Sequence, residues 1–284
     1  MTTLGPIAAL GTRWYIELFE PVLDEAVLTS QIHDYLLAFE YKFSRFKADS
    51  LLTKLNQSGQ LTDADDETLN LFTKALEMYE ATHGVFNIAV GAELEAVGYN
   101  AAYAFTHTEA LKTERPKLPE VLTVDEATIT VAGAQLDLGG IGKGFLIDRL
   151  AEHLLTLGHR YFVINGGGDM YISSDHGEPV EIILAHPQDM SRHIGSVALK
   201  DQGFAASSPY VRAWKDKVTG EARNHLLTDK TIASYTVAAD TTTADVWATA
   251  LAVEPELREP VSISTLLLDG TTVLRSDPCF VLYT

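Results

Sequence analysis

The stretch Asp137-Leu138-Gly139-Gly140-Ile141-Gly142-Lys143-Gly144 decides how this 284-residue chain is read. Glycines at 139, 140, 142 and 144 let the backbone approach a ligand closely. Behind them Ile147, Leu150, Leu154 and Leu157 recur at helical spacing, and Gly158 marks the stop. The free N–H groups of that helix point back at the loop, so a phosphate fits there. A tight turn packing a helix against a sheet accounts for the glycines equally well. The loop is not a P-loop, because Asp137 stands five before Gly142 and Gly144 follows Lys143. Nor is it a dinucleotide fingerprint, because the last position counted from Gly140 is Phe145. Asp137 caps nearby N–H groups or accepts from a ligand, and Lys143 neutralises phosphate charge or is solvated.

C-terminal to the loop, a strand at Tyr161 to Ile164 runs straight into Asn165-Gly-Gly-Gly-Asp169, a tight turn or a place where a ligand comes close. Segments 181–185 and 194–199 read as strands. Thr242-Thr243-Ala244-Asp245 opens a helix to about Val253. Asp245 and Thr249 lie four apart and share one face of it, where a carboxylate and a hydroxyl can supply oxygens to a hard cation such as Mg2+. The competing reading is an acidic residue favoured in a first turn and a threonine bonded back to its own helix. Strands at 266–268, 272–274 and 280–283 close the chain, with Cys279 expected buried among them.

N-terminal to the loop, residues 11–19 read as a strand, and Ile32, Tyr35, Leu36, Phe39 and Phe43 form one face of a helix. Residues 43–59 look polar and turn-rich. Thr62 to Glu67 is an acidic helix start, followed by Leu69, Phe72, Leu76 and Tyr79, with Gly84 as the stop. Residues 92–118 carry no clear period, and 121–131 alternate like a short hairpin. Strands and helices mix without a βαβ repeat. This predicts an α+β fold of mixed sheets with packed helices, one domain over 1–284, with two lobes around the site left open.

The formal net charge of -18, from 39 acidic and 21 basic side chains, argues against nucleic acid and anionic lipid as partners. An anionic ligand then needs local help from backbone N–H groups or a divalent cation. One cysteine excludes an internal disulfide, and there is no Cys/His cluster for zinc. The histidines do not cluster, and no G-x-S-x-G elbow supports a hydrolase triad. No apolar run reaches the roughly 18 residues of a membrane span, and the N-terminus has no basic n-region. A cytoplasmic location is the expectation.

Taken in order, these segments resemble the FAD:protein FMN transferases, the ApbE-like flavin transferases. Leu10-Gly11-Thr12 stands where the family has Met-Gly-Thr, and residues 43–56 (FSRFKADSLLTKLN) follow its F-S-x-aromatic pattern. Thr82 to Gly91 is similar to T-x-G-x-F-D-x-x-V-G, Asp137 to Gly144 to D-L-G-G-I-A-K-G, Ile164 to Met170 to V-N-x-G-G-D, and Thr243 to Leu251 to T-A-D-x-x-A-T-A-L. The resemblance spans nearly the whole chain and implies a T-fold-like architecture. It implies Mg2+ held by Asp245, the Thr249 hydroxyl and the Gly140 carbonyl. FAD contacts fall at Leu10, Phe46, Phe86, Asn87, Asp137, Lys143, His225 and Leu226. It further implies transfer of FMN from FAD to a Ser or Thr hydroxyl of an acceptor flavoprotein carrying a flavinylation motif, with release of AMP. Asp245 acts through the metal, and Asp137 is the candidate general base. Two other readings stay open: an FAD pyrophosphatase using water, and a flavin carrier without turnover. The chain departs from the pattern at Asn87 (usually Asp), at Ser207-Ser208-Pro209 (commonly S-G-D) and after His225, where Leu226-Leu-Thr-Asp-Lys-Thr-Ile232 replaces I-L-D-P-R-T-G.

Overall fold

The computed structural model describes residues 1–102, 104–107, 115–175 and 177–283. Its centre is an eight-stranded sheet. From edge to edge it runs Thr2–Ala9, Thr12–Leu18, Tyr161–Gly166, Asp169–Ser174, Gln202–Ser207, Ile232–Ala238, Ser264–Asp269 and Thr272–Ser276. Every neighbouring pair is antiparallel. The α+β expectation stands, and its mixed sheets narrow to antiparallel ones. Hairpins rather than helical crossovers join several neighbours, which demands that sense.

Side-chain alternation sends each face of this sheet to a different layer. Phe162 and Ile164 enter the core shared with the helices, whereas Val163 between them faces the other core. On the helical side Glu25–Phe43 buries Leu28, Ile32, Leu36, Phe39 and Phe43 along one stripe, as its spacing predicts. On the opposite side a three-stranded sheet of Val180–His186, Asp189–Leu199 and Phe280–Leu282 packs Leu184, Val197 and Phe280 onto Ile172, Tyr235 and Leu266. Ile232–Ala238 is buried along its whole length. A strand covered on both faces loses the alternating signature, so this one escapes a reading by period.

Two local expectations are corrected. Residues 51–58 form a helix, Leu51–Ser58, rather than a run of turns. The Ser50 side chain caps it by accepting from Thr53 N–H, Leu52 and Leu55 are buried, and Gly59 ends it at φ 74°. Cys279 is exposed, because it lies in the turn before Phe280, and the buried residue there is Phe280.

Candidate functional site

The glycine loop is fixed at its entry before any ligand is considered. Asn56 grips Leu136 twice, its Oδ1 accepting from the Leu136 N–H at 2.9 Å and its Nδ2 donating to the Leu136 carbonyl at 3.0 Å. Asp137 N–H then donates to Ile88 O at 2.8 Å. Each oxygen of the Asp137 carboxylate accepts one hydrogen bond. One oxygen accepts from Gly139 N–H at 2.8 Å and the other from Arg45 Nε. Asp137 therefore shapes the loop and ties it to Arg45.

Gly142–Thr156 leaves the loop and crosses the start of Thr241–Val253 at Gly144. A Cβ on Gly144 would meet Thr241 O at 2.6 Å, Thr242 Cα at 2.8 Å and Asp245 Cβ at 3.0 Å, so only glycine allows this approach. Asp148 on the first helix caps the second. It accepts from the N–H groups of Thr241 and Thr242, both at 2.8 Å, and from the Thr242 hydroxyl. Burial pushes the Asp148 carboxyl up to about 6, against the pull of those hydrogen bonds. The two helices thus form one unit, and Gly144 N–H donates to Asp245 Oδ2 at 3.1 Å.

Asp245 is 3% exposed. Thr249, one turn on, holds its Oγ1 3.2 Å from Ser207 Oγ. Gly140 lies over this face, since a Cβ there would sit 3.6 Å from Thr249 Oγ1 and 3.2 Å from Phe86 Cε2. The three residues expected to hold a metal therefore line one cavity, with Gly140 against Thr249. Among the described residues no group of three or more His, Cys, Asp or Glu converges. A donor set of one carboxylate, one hydroxyl and one backbone carbonyl is all hard oxygen, which fits Mg2+ and its retained waters better than a thiophilic ion.

Lys143 projects between two buried carboxylates. Its Nζ pairs with Asp169 Oδ2 and lies 3.5 Å from Asp245 Oδ2. Burial pulls the ammonium's pKa down, but the two carboxylates outweigh it and hold the pKa above the ordinary lysine value. Asp169 is delivered by the Asn165–Asp169 turn. There Gly167 and Gly168 take φ of 80° and 106°, and Asn165 Oδ1 accepts from Gly168 N–H at 2.9 Å.

These groups open onto a cavity of about 1090 Å3 lined by Phe46, Phe86, Asn87, Asp137, Gly140, Lys143, His225, Leu226, Asp245 and Thr249. A neighbouring cavity of about 550 Å3 contains Leu10 and shares Phe46, Asp137 and Lys143 with the first. All of the expected site residues therefore line one continuous cleft. Asn87 does what an aspartate there could not. Its Nδ2 donates to Pro116 O at 2.9 Å while its Oδ1 accepts from Ala89 N–H at 2.8 Å. The divergent segment after His225 is closed by Asn224, whose Oδ1 accepts from Leu226 N–H at 3.0 Å and whose Nδ2 donates to Thr228 O at 2.7 Å. Burial, with the charge of Arg212, depresses His225 to about 4. The imidazole is neutral, and its Nδ1 has no partner among the described residues.

Sequence reasoning misses Arg45, Tyr99, Arg212 and Trp214. Tyr99 and Trp214 stack at 5.4 Å with planes 13° apart, and Phe46 meets Tyr99 edge-on at 5.7 Å. Arg45 covers Phe46 at 4.3 Å and donates to Tyr99 O at 2.6 Å. Arg45 stands inside the quoted 43–56 pattern, so its position was available. Tyr99 and Trp214 come from segments without period and carried no signal.

Comparison with known proteins agrees with this geometry. The model of the ApbE family matches residues 10–263. The FAD:protein FMN transferase of Haemophilus influenzae is 25% identical, with 96% of this chain and 86% of that protein covered. The protein of the same name from Escherichia coli is 24% identical, covering 86% and 76%. Among solved structures, the ApbE protein of Thermotoga maritima superposes with a TM-score of 0.80 at 26% identity over 95% of both chains. The flavin transferase ApbE of Vibrio cholerae shares the fold, with a TM-score of 0.74 at 21% identity, covering 99% of this chain and 95% of that one. A family match over 254 residues, together with a cleft that gathers the family's motifs, shows that this chain belongs to the ApbE family.

Proposed function

We propose that this chain is a Mg2+-dependent FAD:protein FMN transferase. It would move FMN from FAD to a Ser or Thr hydroxyl of an acceptor flavoprotein and release AMP. The observation that carries this reading is the meeting of Asp245, Thr249 and Gly140 beside Lys143, on a cleft with two chambers. Asp245, the Thr249 hydroxyl and the Gly140 carbonyl would hold Mg2+, which supplies charge neutralisation at the diphosphate oxygens when bound. Helix Gly142–Thr156 would direct the positive end of its dipole at the same phosphates, with the N–H groups of Gly142 and Gly144 held by Leu138 O and Asp245 Oδ2. Lys143 adds a cation held in place by Asp169. Phe46, Tyr99 and Trp214 form an aromatic wall of the smaller chamber, suited to a ring system. The acceptor oxygen would bond to the FMN-side phosphorus as the P–O bond to AMP breaks, with the hydroxyl proton passing to solvent, so one phosphoester replaces one anhydride. Among the described residues no helix is long and apolar enough to cross a membrane.

The test is incubation with FAD and Mg2+, with and without an acceptor domain bearing a threonine flavinylation motif. The expected result is AMP in equal amount to an acceptor mass gain of one FMN, both abolished by EDTA. AMP matched by free FMN without acceptor would make the chain a pyrophosphatase. Intact FAD in both arms would make it a carrier.

A further inference from the structure

Arg212 is a cation of the cleft to which the proposed mechanism gives no part. Arg212 lines both cavities and is half-buried. Its Nη2 lies 3.9 Å from where a Cβ on Gly11 would stand, and its main-chain carbonyl accepts from His225 N–H at 3.1 Å. Among the described residues its guanidinium makes no hydrogen bond and no ion pair. Its neighbours differ. Arg45 is paired with Asp137, Lys47 with Glu40, Arg115 with Glu93, and Lys143 with Asp169. Apart from the exposed Arg13, every other Lys or Arg lining the two cavities has an acidic partner. In a chain with 39 acidic against 21 basic side chains, a half-buried guanidinium without a carboxylate partner keeps its fork of N–H donors for a ligand.

The position says which anion. Arg212 stands where the chambers of about 550 and 1090 Å3 meet, together with Gly139 and Lys143 of the glycine loop. A ligand with a bulky ring system at each end puts its two ends in two chambers and its linker at their junction. In a flavin adenine dinucleotide that linker is the diphosphate. A guanidinium fork matches paired phosphate oxygens, and Arg212 approaches from the wall of the two-stranded hairpin Ala213–Lys215 and Ala222–Asn224, not from the wall of Asp245 and Thr249.

We infer that Arg212 binds the diphosphate of the dinucleotide substrate at the junction of the two chambers. This rests on FAD being the substrate. The test is titration of FAD and of riboflavin, which lacks phosphate, by flavin fluorescence in EDTA, for wild type, Arg212→Met and Arg212→Lys, each with a thermal unfolding curve. Arg212→Met should weaken FAD about 10- to 100-fold, the range of a charge-assisted hydrogen-bond pair. Arg212→Lys should recover part of the loss, and riboflavin should be unaffected. Unchanged FAD affinity in Arg212→Met, or equal weakening of riboflavin, overturns the inference. If Arg212→Met does not fold, the ratio of FAD to riboflavin loss in Arg212→Lys decides by the same criterion. Wild-type protein that binds FAD but yields neither AMP nor modified acceptor overturns the transferase reading and leaves the Arg212 comparison standing. Wild-type protein that binds no FAD overturns both.

Discussion

Replacing Gly144 by alanine sets two effects against each other. In an exposed helix the change gains up to about 1 kcal/mol from helix propensity. Here the new methyl would lie 2.6 Å from Thr241 O and 2.8 Å from Thr242 Cα. Both are backbone atoms that cannot swing away, and Asp148 pins that backbone through Thr241 and Thr242. Relief requires the two helices to part by a fraction of an ångström to an ångström, and overpacking of this kind costs about 1–3 kcal/mol. The clash prevails, for a net loss of about 1–2 kcal/mol or a Tm lower by roughly 2–8 °C in a domain of this class. The same displacement carries Asp245, whose Cβ is 3.0 Å from the added methyl. A misplacement approaching 1 Å in a catalytic constellation costs about 100-fold, so Mg2+-dependent AMP release should fall about 10- to 100-fold. Differential scanning calorimetry and an AMP assay read the two effects separately. Gly144→Ala protein that melts at or above wild type with undiminished turnover would refute the reasoning.

Asp245→Asn should remove Mg2+-dependent turnover by about 100-fold or more, since several kcal/mol of transition-state stabilisation rest on the metal. A Mg2+ titration of activity checks it, and retention of full activity would displace the metal site. Asn87→Asp sets a carboxylate against Pro116 O in place of a donor, and should cost about 1–3 kcal/mol, seen as a lower midpoint in urea. Asp148 gives a pH signature. Its carboxyl is raised from 3.8 to about 6 in the fold, so its contribution to stability is fully present below about 3.8 and lost as pH rises through about 6. The span is roughly 3 kcal/mol by linkage. Urea unfolding of wild type and Asp148→Asn between pH 4 and 7 should differ by a component of that size and sign. Parallel curves would contradict it.

What the sequence makes legible follows from where each signal is stored. Helix Glu25–Phe43 is readable because one stripe faces the core and the rest faces water. Ile232–Ala238 is not, because the sheet is covered on both sides there. Leu51–Ser58 is hidden by its polar composition, although Ser50 and Gly59 cap it as helix ends should be capped. In the site, the glycine loop and the Asp245–Thr249 pair are legible because close approach and helical spacing leave local marks. Their meeting at Gly140 and Gly144 is a property of two helices crossing, which no local window contains. Asp137 shows the limit of residue type as a guide. A carboxylate at the edge of a phosphate loop invites a catalytic role, and its contacts with Gly139 N–H and Arg45 Nε, which shape the loop, depend on tertiary structure. Trp214 and Arg212 enter from a hairpin outside the main sheet, so their place in the cleft depends on tertiary docking alone.

That hairpin has an evolutionary corollary. It is a separate two-stranded sheet, moored at its far end where Asp216 accepts from His107 N–H at 2.8 Å and from its ring at 3.0 Å, and where Lys217 N–H donates to Phe105 O at 2.9 Å. The wall of Asp245 and Thr249 is built from helices locked to one another through Asp148 and the close approach at Gly144. The hairpin wall can vary in length and sequence while the locked wall stays unchanged. Drift in such a lineage should therefore collect on the hairpin and its return after His225, retuning which nucleotide or acceptor is admitted while the chemistry is inherited intact.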